Sequence, residues 1–199
     1  MPGANLPLNI FEPRYLEMLD AVISGNRIIG MIQPDAAEDT ESPDGKLVPL
    51  KRIGGAGRIT AYQELDDGRI AITLTGVARF EVVGEVTSDL PYRVCEVRYD
   101  AFAADFTRGS NEDDVDRVHL LDVLKAYLEA NGLQTDWKAI ERASTEYLVN
   151  SLSVVSPYGP EEKQALLEAP DLKSRTLVLI ALAEMEIASR DDGSSSTMQ

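Results

Sequence analysis

The pattern of apolar residues changes near residue 104. Before this point, short runs rich in β-branched residues are separated by glycine, proline and Asp-Gly turns. After it, apolar residues recur at helical spacing between capping and breaking signals. The first pattern is typical of β-strands and the second of amphipathic helices. We therefore predict an α+β fold, with a β domain at residues 1–104, an α-helical bundle at 105–189 and a disordered, serine-rich tail at 190–199.

Five segments of the first half are predicted strands, and their close spacing indicates an antiparallel sheet curled into a barrel. They are Arg27–Gln33, Gly57–Glu64, Arg69–Leu74, Ala78–Val86 and Tyr92–Tyr99. Asp66-Asp67-Gly68 predicts a hairpin turn between the second and third strands, and Gly76 separates the third from the fourth. The polar stretch Ala36–Lys46 is expected to be an exposed loop.

One helix is inserted near the start of this β half. Pro13 suits its first turn, and Gly25-Asn26 is expected to end it. The residues predicted to share its apolar face are Tyr15, Leu16, Leu19, Val22 and Ile23.

Four helices are expected in the second half. Ser110, with Asp113 three residues later, predicts the start of the first helix, and Asn131-Gly132 predicts its end. The others are Thr135–Ser151, Glu161–Glu168 and Leu172–Ser189. The apolar stripe of the second helix is expected to include Trp137, Ile140, Ala143, Tyr147 and Leu148.

The chain is strongly acidic, with 34 Asp and Glu against 19 Lys and Arg and a formal net charge of −15. Residues 1–104 carry −6 and residues 105–199 carry −9. A nucleic-acid partner requires clustered Lys and Arg to neutralise phosphates, so this charge argues against one. The longest apolar run, Leu177–Ala183, has 7 residues, whereas about 20 are needed to span a bilayer. With a single Cys and no targeting segment, we expect a cytoplasmic protein without disulfides or membrane contact.

The usual catalytic and cofactor motifs are missing from the sequence. One His and one Cys cannot build a His/Cys zinc cluster. Gly25 and Gly30 have the spacing of a phosphate-binding loop, but Met31-Ile32 stands where Lys and Ser or Thr are required. Gly55-x-Gly57 is followed by Thr60 in place of a third glycine, so both glycine stretches are expected to be turns or bulges.

Nucleophilic catalysis has as little support. There is no G-x-S-x-G segment, and a Ser-His-Asp triad would require His119, which we place on a helix surface. Cys95 lies within a predicted strand and is expected to pack as a small apolar residue. A Ser–Lys dyad is compatible with the composition, although no segment marks one. We expect no catalytic residue, no metal and no cofactor.

Two segments are candidates for interaction. Leu177–Ala183 is apolar on all sides of a helix and is expected to be buried in the bundle; any exposed part would form a patch for a partner. Phe11–Tyr15 places two aromatics and an Arg at the entry to the first helix. A structural alternative explains this segment with Phe11 as a hydrophobic staple and Arg14 as an ion-pair partner.

The segment Leu6–Tyr15, with the sequence LPLNIFEPRY, resembles the start of the Lon protease N-terminal, substrate-binding domain. The resemblance extends from about residue 5 to 189. Its other segments are Gly55–Ile59, Leu74–Phe80, Pro91–Val94, Asn150–Leu152, Pro157 and Glu162–Glu168. It implies a PUA-like β-barrel followed by a helical bundle, and a role in recognising unfolded or damaged proteins. In the family, separate ATPase and Ser–Lys protease domains carry out catalysis, and no Walker A motif is present in these 199 residues.

The sequence departs from the family pattern at one point. The pattern usually has a short apolar strand before the LPLxIFEPRY signature, and here Met1-Pro2-Gly3 stands at the turn that follows that strand. Without it, a neighbouring strand would have an unpaired edge.

The main hypothesis is a non-catalytic protein-binding module that lacks both ATPase and protease domains. Its expected partners are unfolded or client proteins, and a protease or chaperone with which it cooperates. Phe11 and Tyr15 are the predicted substrate-binding residues, near a surface between the β half and the helices. The alternative is a PUA-like small-molecule or RNA-binding protein, for which Arg52, Arg58, Arg69 and Arg79 would have to cluster. The sequence leaves the oligomeric state open.

Overall fold

The computed structural model describes residues 1–35, 48–109 and 112–195, with side chains through residue 190. The whole of the predicted loop at 36–46 therefore lies outside the described residues. The contacts divide the chain into two compact units, Met1–Thr107 and Arg108–Gln199. The first contains the sheet and the second contains a series of helices, so the fold is α+β.

The described residues of the first unit, here called the β unit, form five strands and one α-helix. The strands are β1 Asn5–Ile10, β2 Ile28–Met31, β3 Ile53–Glu64, β4 Ile70–Val86 and β5 Val94–Arg98, and the helix is α1 Pro13–Ile23. All pairings are antiparallel, in the order β1-β4-β3-β2, and β5 pairs with the second half of β4. The predicted α1 and the predicted turn at Gly68, which has a φ of +80°, are confirmed.

The predicted closed barrel is corrected by this pairing. Within the described ranges, β1 and β2 lie at opposite ends of the strand order and do not pair with each other. β2 has 4 residues and pairs over its whole length with β3, at Arg58 through Gly55. In a closed barrel both edge strands must pair with each other. A strand as short as β2 offers few backbone groups for such pairing.

Strand β4 is continuous, where the sequence predicts two strands separated at Gly76. The reason is the N-terminal segment, whose backbone crosses this glycine. The N–H of Gly3 donates to the carbonyl of Gly76 at 2.9 Å, and the N–H of Gly76 donates to the carbonyl of Ala4 at 2.9 Å. A Cβ at residue 76 would lie 1.8 Å from the Met1 carbonyl oxygen. Glycine thus permits close backbone approach here and does not end the strand.

Strand β1 was not among the predicted strands. Its apolar residues alternate, but Pro7 weakens the pattern of a strand. The structure explains this conflict. Among the described strands β1 pairs with β4 alone, opposite Thr75 to Ile70, and proline is tolerated on such an edge strand.

The core of the β unit lies between the sheet and α1. Its buried cluster consists of Ile10, Leu19, Ile29, Ile59, Ile72 and Leu74. Leu19 comes from the predicted apolar face of α1, and four further members of that face pack against the cluster. Burial of each such side chain contributes about 1.5–3 kcal/mol.

Five α-helices are seen in the part of the second unit, here called the helical unit, that the structure describes. They are α2 Arg117–Ala130, α3 Trp137–Arg142, α4 Thr145–Val155, α5 Pro160–Glu168 and α6 Leu172–Ser195. The predicted helix at 161–168 and the predicted end at Asn131-Gly132 are confirmed. The N-cap of α2 is Asp116, which accepts from the N–H of His119 at 3.0 Å, whereas the predicted cap Ser110 lies outside the described residues.

The single helix predicted for 135–151 is wrong, because the chain breaks between α3 and α4. Ala143 has an extended ψ of 144°, and the Ser144 hydroxyl accepts from the N–H of Tyr147 at 3.2 Å as the cap of α4. Two helices replace one because a serine cap satisfies an orphan N–H of a new helix start. The predicted stripe is therefore out of register, and Tyr147 is exposed.

Helix α6 differs from its prediction in two ways. It continues to Ser195 and not to Ser189, since residues 190–195 contain no proline and extending an existing helix is inexpensive. Disorder remains a prediction for 196–199, which lie outside the described residues.

The apolar run Leu177–Ala183 is only partly buried, although the sequence predicts burial. Leu179, Ile180 and Ala183 are buried, whereas Leu177 is 58% exposed. None of the helices in the described part of the chain combines the length and apolar character needed to cross a membrane.

Candidate functional site

The segment between β1 and α1 holds both residues predicted to bind a client, Phe11 and Tyr15. Glu12 is the N-cap residue of α1, and Pro13 occupies its first turn, so the chain passes directly from strand to helix. The carboxylate of Glu12 lies 2.7 Å from the Arg14 guanidinium, which lies 4.6 Å from the centre of the Tyr15 ring. The predicted role of Arg14 in an ion pair is confirmed, and these contacts hold the three side chains together.

The two predicted residues have different surroundings. Tyr15 is half-buried and packs against the apolar cluster of the β unit. Phe11 is 63% exposed, although the preceding residue, Ile10, is buried. The ring is therefore not covered as the staple alternative would require. Phe11, Arg14 and Tyr15 form what we call the Phe11 surface, and Phe11 is its largest exposed apolar group.

The helical unit contains an apolar cleft of about 230 Å³ between α2, α6 and the connection after α4. Its floor consists of Leu120, Val123, Leu124, Leu179, Ile180 and Ala183, all buried. Leu133 and Val155 stand at its rim, 55% and 70% exposed. We call this feature the α2–α6 cleft. Pockets for drug-sized ligands occupy about 300–1,000 Å³, so the cleft is closer in size to one or two large side chains.

One end of the α2–α6 cleft is polar. Tyr127 and Tyr158 line it, and Glu186 lies three residues after the lining residue Ala183 in α6. Burial raises the pKa of Tyr158 to about 12, with smaller contributions from Tyr127 and Glu186. Burial also raises the pKa of Tyr127, and the Glu186 carboxylate adds to this rise. The phenols therefore stay neutral at physiological pH, and the carboxylate of Glu186 makes the electrostatic potential at this end of the cleft negative.

The segment that follows α4 forms one wall of the cleft, and Lys163 fixes its backbone through hydrogen bonds. Its ammonium donates to the carbonyl oxygens of Ser153 at 2.9 Å and Val154 at 2.6 Å, and also to that of Ser156. It lies 5.9 Å from the centre of the Tyr158 ring. Burial lowers the pKa of Lys163, while the carbonyls at the end of α4 favour a cation. Lys163 thus fixes the backbone that carries Tyr158.

Residues 1–183 match the family model of the ATP-dependent protease La (LON) substrate-binding domain. The chain belongs to the Lon substrate-binding domain family. The resemblance carried by LPLNIFEPRY and the later segments is thereby confirmed.

Two curated relatives are similar to nearly the whole chain. The Lon protease of Flavobacterium johnsoniae is 26% identical over 195 residues, which are 94% of this chain and 22% of the relative. Lon protease 2 of Myxococcus xanthus is 25% identical over 187 residues, which are 91% of this chain and 22% of the relative. The chain thus spans about a fifth of the length of these Lon proteases.

Two solved structures share the fold. The crystal structure of a Lon N-terminal domain protein from Xanthomonas campestris has a TM-score of 0.62 at 20% identity, covering 90% of both chains. The N-terminal domain of the Mycobacterium avium complex Lon protease has a TM-score of 0.61 at 17% identity, covering 92% of this chain and 91% of the other. An antiparallel sheet followed by several helices is therefore the Lon N-terminal fold.

Several residues that carry the Lon resemblance build this fold and do not form a site. In the segment Leu74–Phe80, Gly76 admits the N-terminal backbone, and Arg79 forms a buried ion pair with Asp105. In the helical unit, Asn150 accepts from the buried Arg175 at 2.7 Å. Lys163 caps α4, as described above. Phe11 is different from these residues because its ring is mostly exposed.

Three of the four arginines considered for a phosphate site are in ion pairs. The pairs are Arg52–Glu81, Arg69–Asp67 and Arg79–Asp105. Their charges are neutralised locally, and Arg79 is nearly inaccessible. The structure therefore gives no support to the RNA-binding alternative.

The single His and Cys have ordinary surroundings. His119 is exposed on α2, with its Nε2 4.0 Å from Glu184. Cys95 lies half-buried on β5, and burial raises the pKa of its thiol, which disfavours the nucleophilic thiolate. In the parts of the chain that the structure describes, no group of three or more His, Cys, Asp or Glu residues is placed to hold a metal ion.

Sequence reasoning missed the α2–α6 cleft. Its lining comes from three helices and two connections, which no single periodic pattern joins. A weak signal existed in two apolar residues near helix ends, where polar residues are usual: Val155 is the last residue of α4, and Leu133 follows the end of α2 by three residues. The predicted residues Phe11 and Tyr15 are not part of this cleft.

Proposed function

We propose that this chain is a non-catalytic module that binds exposed apolar segments of unfolded or client proteins. Membership of a family named for substrate binding supports a protein ligand. We also propose that the β unit is PUA-like and that the protein is located in the cytoplasm. It would cooperate there with a protease or chaperone. The family's ATPase and protease activities are not part of it, since no catalytic motif occurs in these 199 residues.

The observation that carries the proposal is the exposure of Phe11 within the Lon signature. Neighbouring residues of the signature are held firmly: Ile10 in the core, Glu12 and Arg14 in an ion pair, and Tyr15 against the apolar cluster. An aromatic ring presented on such a fixed base loses little conformational freedom on binding. Aromatic residues are also the side chains that most often dominate binding energy at protein interfaces.

Binding of a reduced and alkylated, permanently unfolded model protein to the purified chain tests this function. Fluorescence anisotropy of the labelled model protein should show saturable binding, and Phe11→Ser should weaken it about tenfold. Phe106→Ser is the matched control, because Phe106 is also an exposed phenylalanine of the β unit, at 58%.

The control is expected to bind like the unchanged chain, with thermal unfolding verifying that both variants are folded. No binding by the unchanged chain at high micromolar concentration would refute the function. Equal losses in the Phe11 and Phe106 variants would refute the assignment of the Phe11 surface.

A further inference from the structure

We propose that the α2–α6 cleft is a second binding site, specific for a polypeptide segment in which a large apolar side chain is followed closely by a Lys or Arg. The apolar side chain enters the cleft, and the cation pairs with Glu186 at its polar end. This inference rests on the proposed function in one respect, namely that the ligand is a polypeptide. It adds a different surface and a charge preference.

The size of the cleft favours side chains over a cofactor. A volume of about 230 Å³ suits one or two large apolar side chains. The floor is aliphatic and buried, while the rim residues Leu133 and Val155 are mostly exposed. An exposed apolar rim around an apolar floor is typical of a docking groove for an apolar anchor.

The charge preference follows from the position of Glu186. Ala183 lines the floor, and Glu186 lies three residues later on the same face of α6. Its carboxylate contributes to the raised pKa values of Tyr127 and Tyr158, which both line the cleft, so this negative charge lies near the lining residues. The carboxylate is still reachable, since 26% of its side chain is exposed. An apolar floor with one carboxylate near its end complements an apolar residue next to a cation.

The free protein already shows that Glu186 accepts a cation. Arg190 approaches its carboxylate at 3.5 Å from one turn further along α6, with half of its own side chain exposed. Ion pairs of this kind, near the surface of a single helix, contribute little to stability. A ligand cation that is anchored by a neighbouring apolar side chain can therefore displace Arg190 at small cost.

The helical unit as a whole favours the same sign of ligand. Residues 108–199 contain 17 Asp and Glu against 9 Lys and Arg. A surface with this balance attracts basic segments and repels acidic ones over distances near the Debye length, about 8 Å at physiological ionic strength.

A double-mutant cycle tests the pairing on the full chain. Two labelled twelve-residue peptides are compared, identical except that the residue after a central Leu-Phe pair is Lys in one and Gln in the other. Their dissociation constants are measured with the unchanged chain and with Glu186→Gln. The Lys peptide should bind about tenfold more tightly than the Gln peptide to the unchanged chain, and this preference should vanish with Glu186→Gln, which removes the charge and keeps the size of the side chain.

Glu184→Gln is the matched control. It removes the same charge from the same helix, but Glu184 lies next to His119 on another face of α6. Retention of the Lys preference in this variant supports the assignment. Loss of the preference in both variants would attribute it to net charge, and retention in both would place the cation elsewhere; either result overturns the proposal.

Two further variants test the apolar part of the site. Val155→Glu places a charge at the cleft rim and should weaken both peptides at least about tenfold. Val118→Glu is its control, because Val118 is similarly exposed on α2, at 73%, and does not line the cleft. Equal binding by the two variants would overturn the cleft as the site. Unfolded-protein binding that depends on Phe11 but not on Val155 or Glu186 would leave the proposed function standing.

Discussion

Arg79 shows how much of the fold depends on one buried side chain. Its Nε and Nη2 donate to the two carboxylate oxygens of Asp105 at 2.8 Å each, and its own backbone N–H donates to Asp105 at 2.9 Å. The guanidinium also lies 4.3 Å from the Phe102 ring. These contacts tie the 3₁₀ segment Asp100–Phe106 to β4.

Arg79→Met should therefore lower the free energy of unfolding by about 3–5 kcal/mol, because it leaves the Asp105 carboxylate buried without its cation. Urea unfolding followed by circular dichroism measures the change. Arg52→Met is the control: Arg52 pairs with Glu81 but is mostly exposed, so its loss should cost about 0–1 kcal/mol. Similar costs for the two variants would contradict this account.

Tyr158 makes stability depend on alkaline pH. The folded chain raises its pKa from 10.0 to about 12, chiefly by burial. Between these values the unfolded chain releases the phenol proton and the folded chain keeps it, so stability falls as the pH rises through this window. Well below pH 10 the phenol is protonated in both states, and the contribution is constant.

The thermal midpoint of the unchanged chain should therefore fall more steeply between pH 9.5 and pH 11.5 than that of Tyr158→Phe, which cannot ionise. Absorbance of tyrosinate at alkaline pH gives a second measurement, in which the variant should lack the last tyrosine to titrate. Parallel midpoints for the two proteins across the window would show that Tyr158 is not the group responsible.

At the scale of an element, the continuity of β4 depends on the absence of a side chain at Gly76. Gly76→Ala would bring a methyl group within 1.8 Å of the Met1 carbonyl oxygen, so the N-terminal segment must move. Destabilisation of about 1–3 kcal/mol is expected, as for other overpacked positions, with faster hydrogen exchange at the amide of Gly3.

Gly84→Ala provides the control within the same strand. A Cβ at residue 84 would meet nothing within 4 Å, and its φ is not in the left-handed region. The change in free energy should be small, within about 1 kcal/mol. A Gly84 variant as unstable as the Gly76 variant would mean that any side chain weakens β4, and that the N-terminal contact is not the cause.

The elements predicted correctly from the sequence are those with local signals. Helix α1 has Pro13 at its start and a clear apolar face, and the turn at Gly68 follows an Asp-Gly pair. The errors occur where a distant segment decides the outcome. The glycine pattern predicts a break at Gly76, because the residues whose backbone crosses it, Gly3 and Ala4, are far away in sequence. The cap at Ser144 was overlooked because the apolar stripe on either side resembles one helix.

The candidate sites divide in the same way. Phe11 was found because it belongs to a recognisable segment, although its exposure needed the structure. The α2–α6 cleft was not found, because Leu120, Val155 and Ile180 belong to helices separated by whole elements. Only their packing turns three apolar stripes into a groove, and only the helical phase of α6 places Glu186 at its end.

At the scale of the whole molecule, each unit has the apolar interior that independent folding requires. The β unit has its six-residue cluster around Leu19, and the helical unit buries residues such as Leu148, Val149 and Leu166. Fragments of this size are long enough to bury a core of their own.

Fragments 1–107 and 108–199 should therefore fold separately. The first should give a dispersed amide NMR spectrum with β-type circular dichroism, and the second a helical spectrum with a cooperative thermal transition. Arg79→Met introduced into the first fragment should destabilise it about as much as the full chain, since Asp105 and Phe102 are both retained. A fragment without a cooperative transition would show that its core needs the rest of the chain, and the division at residue 107 would then be one of contact density and not of folding.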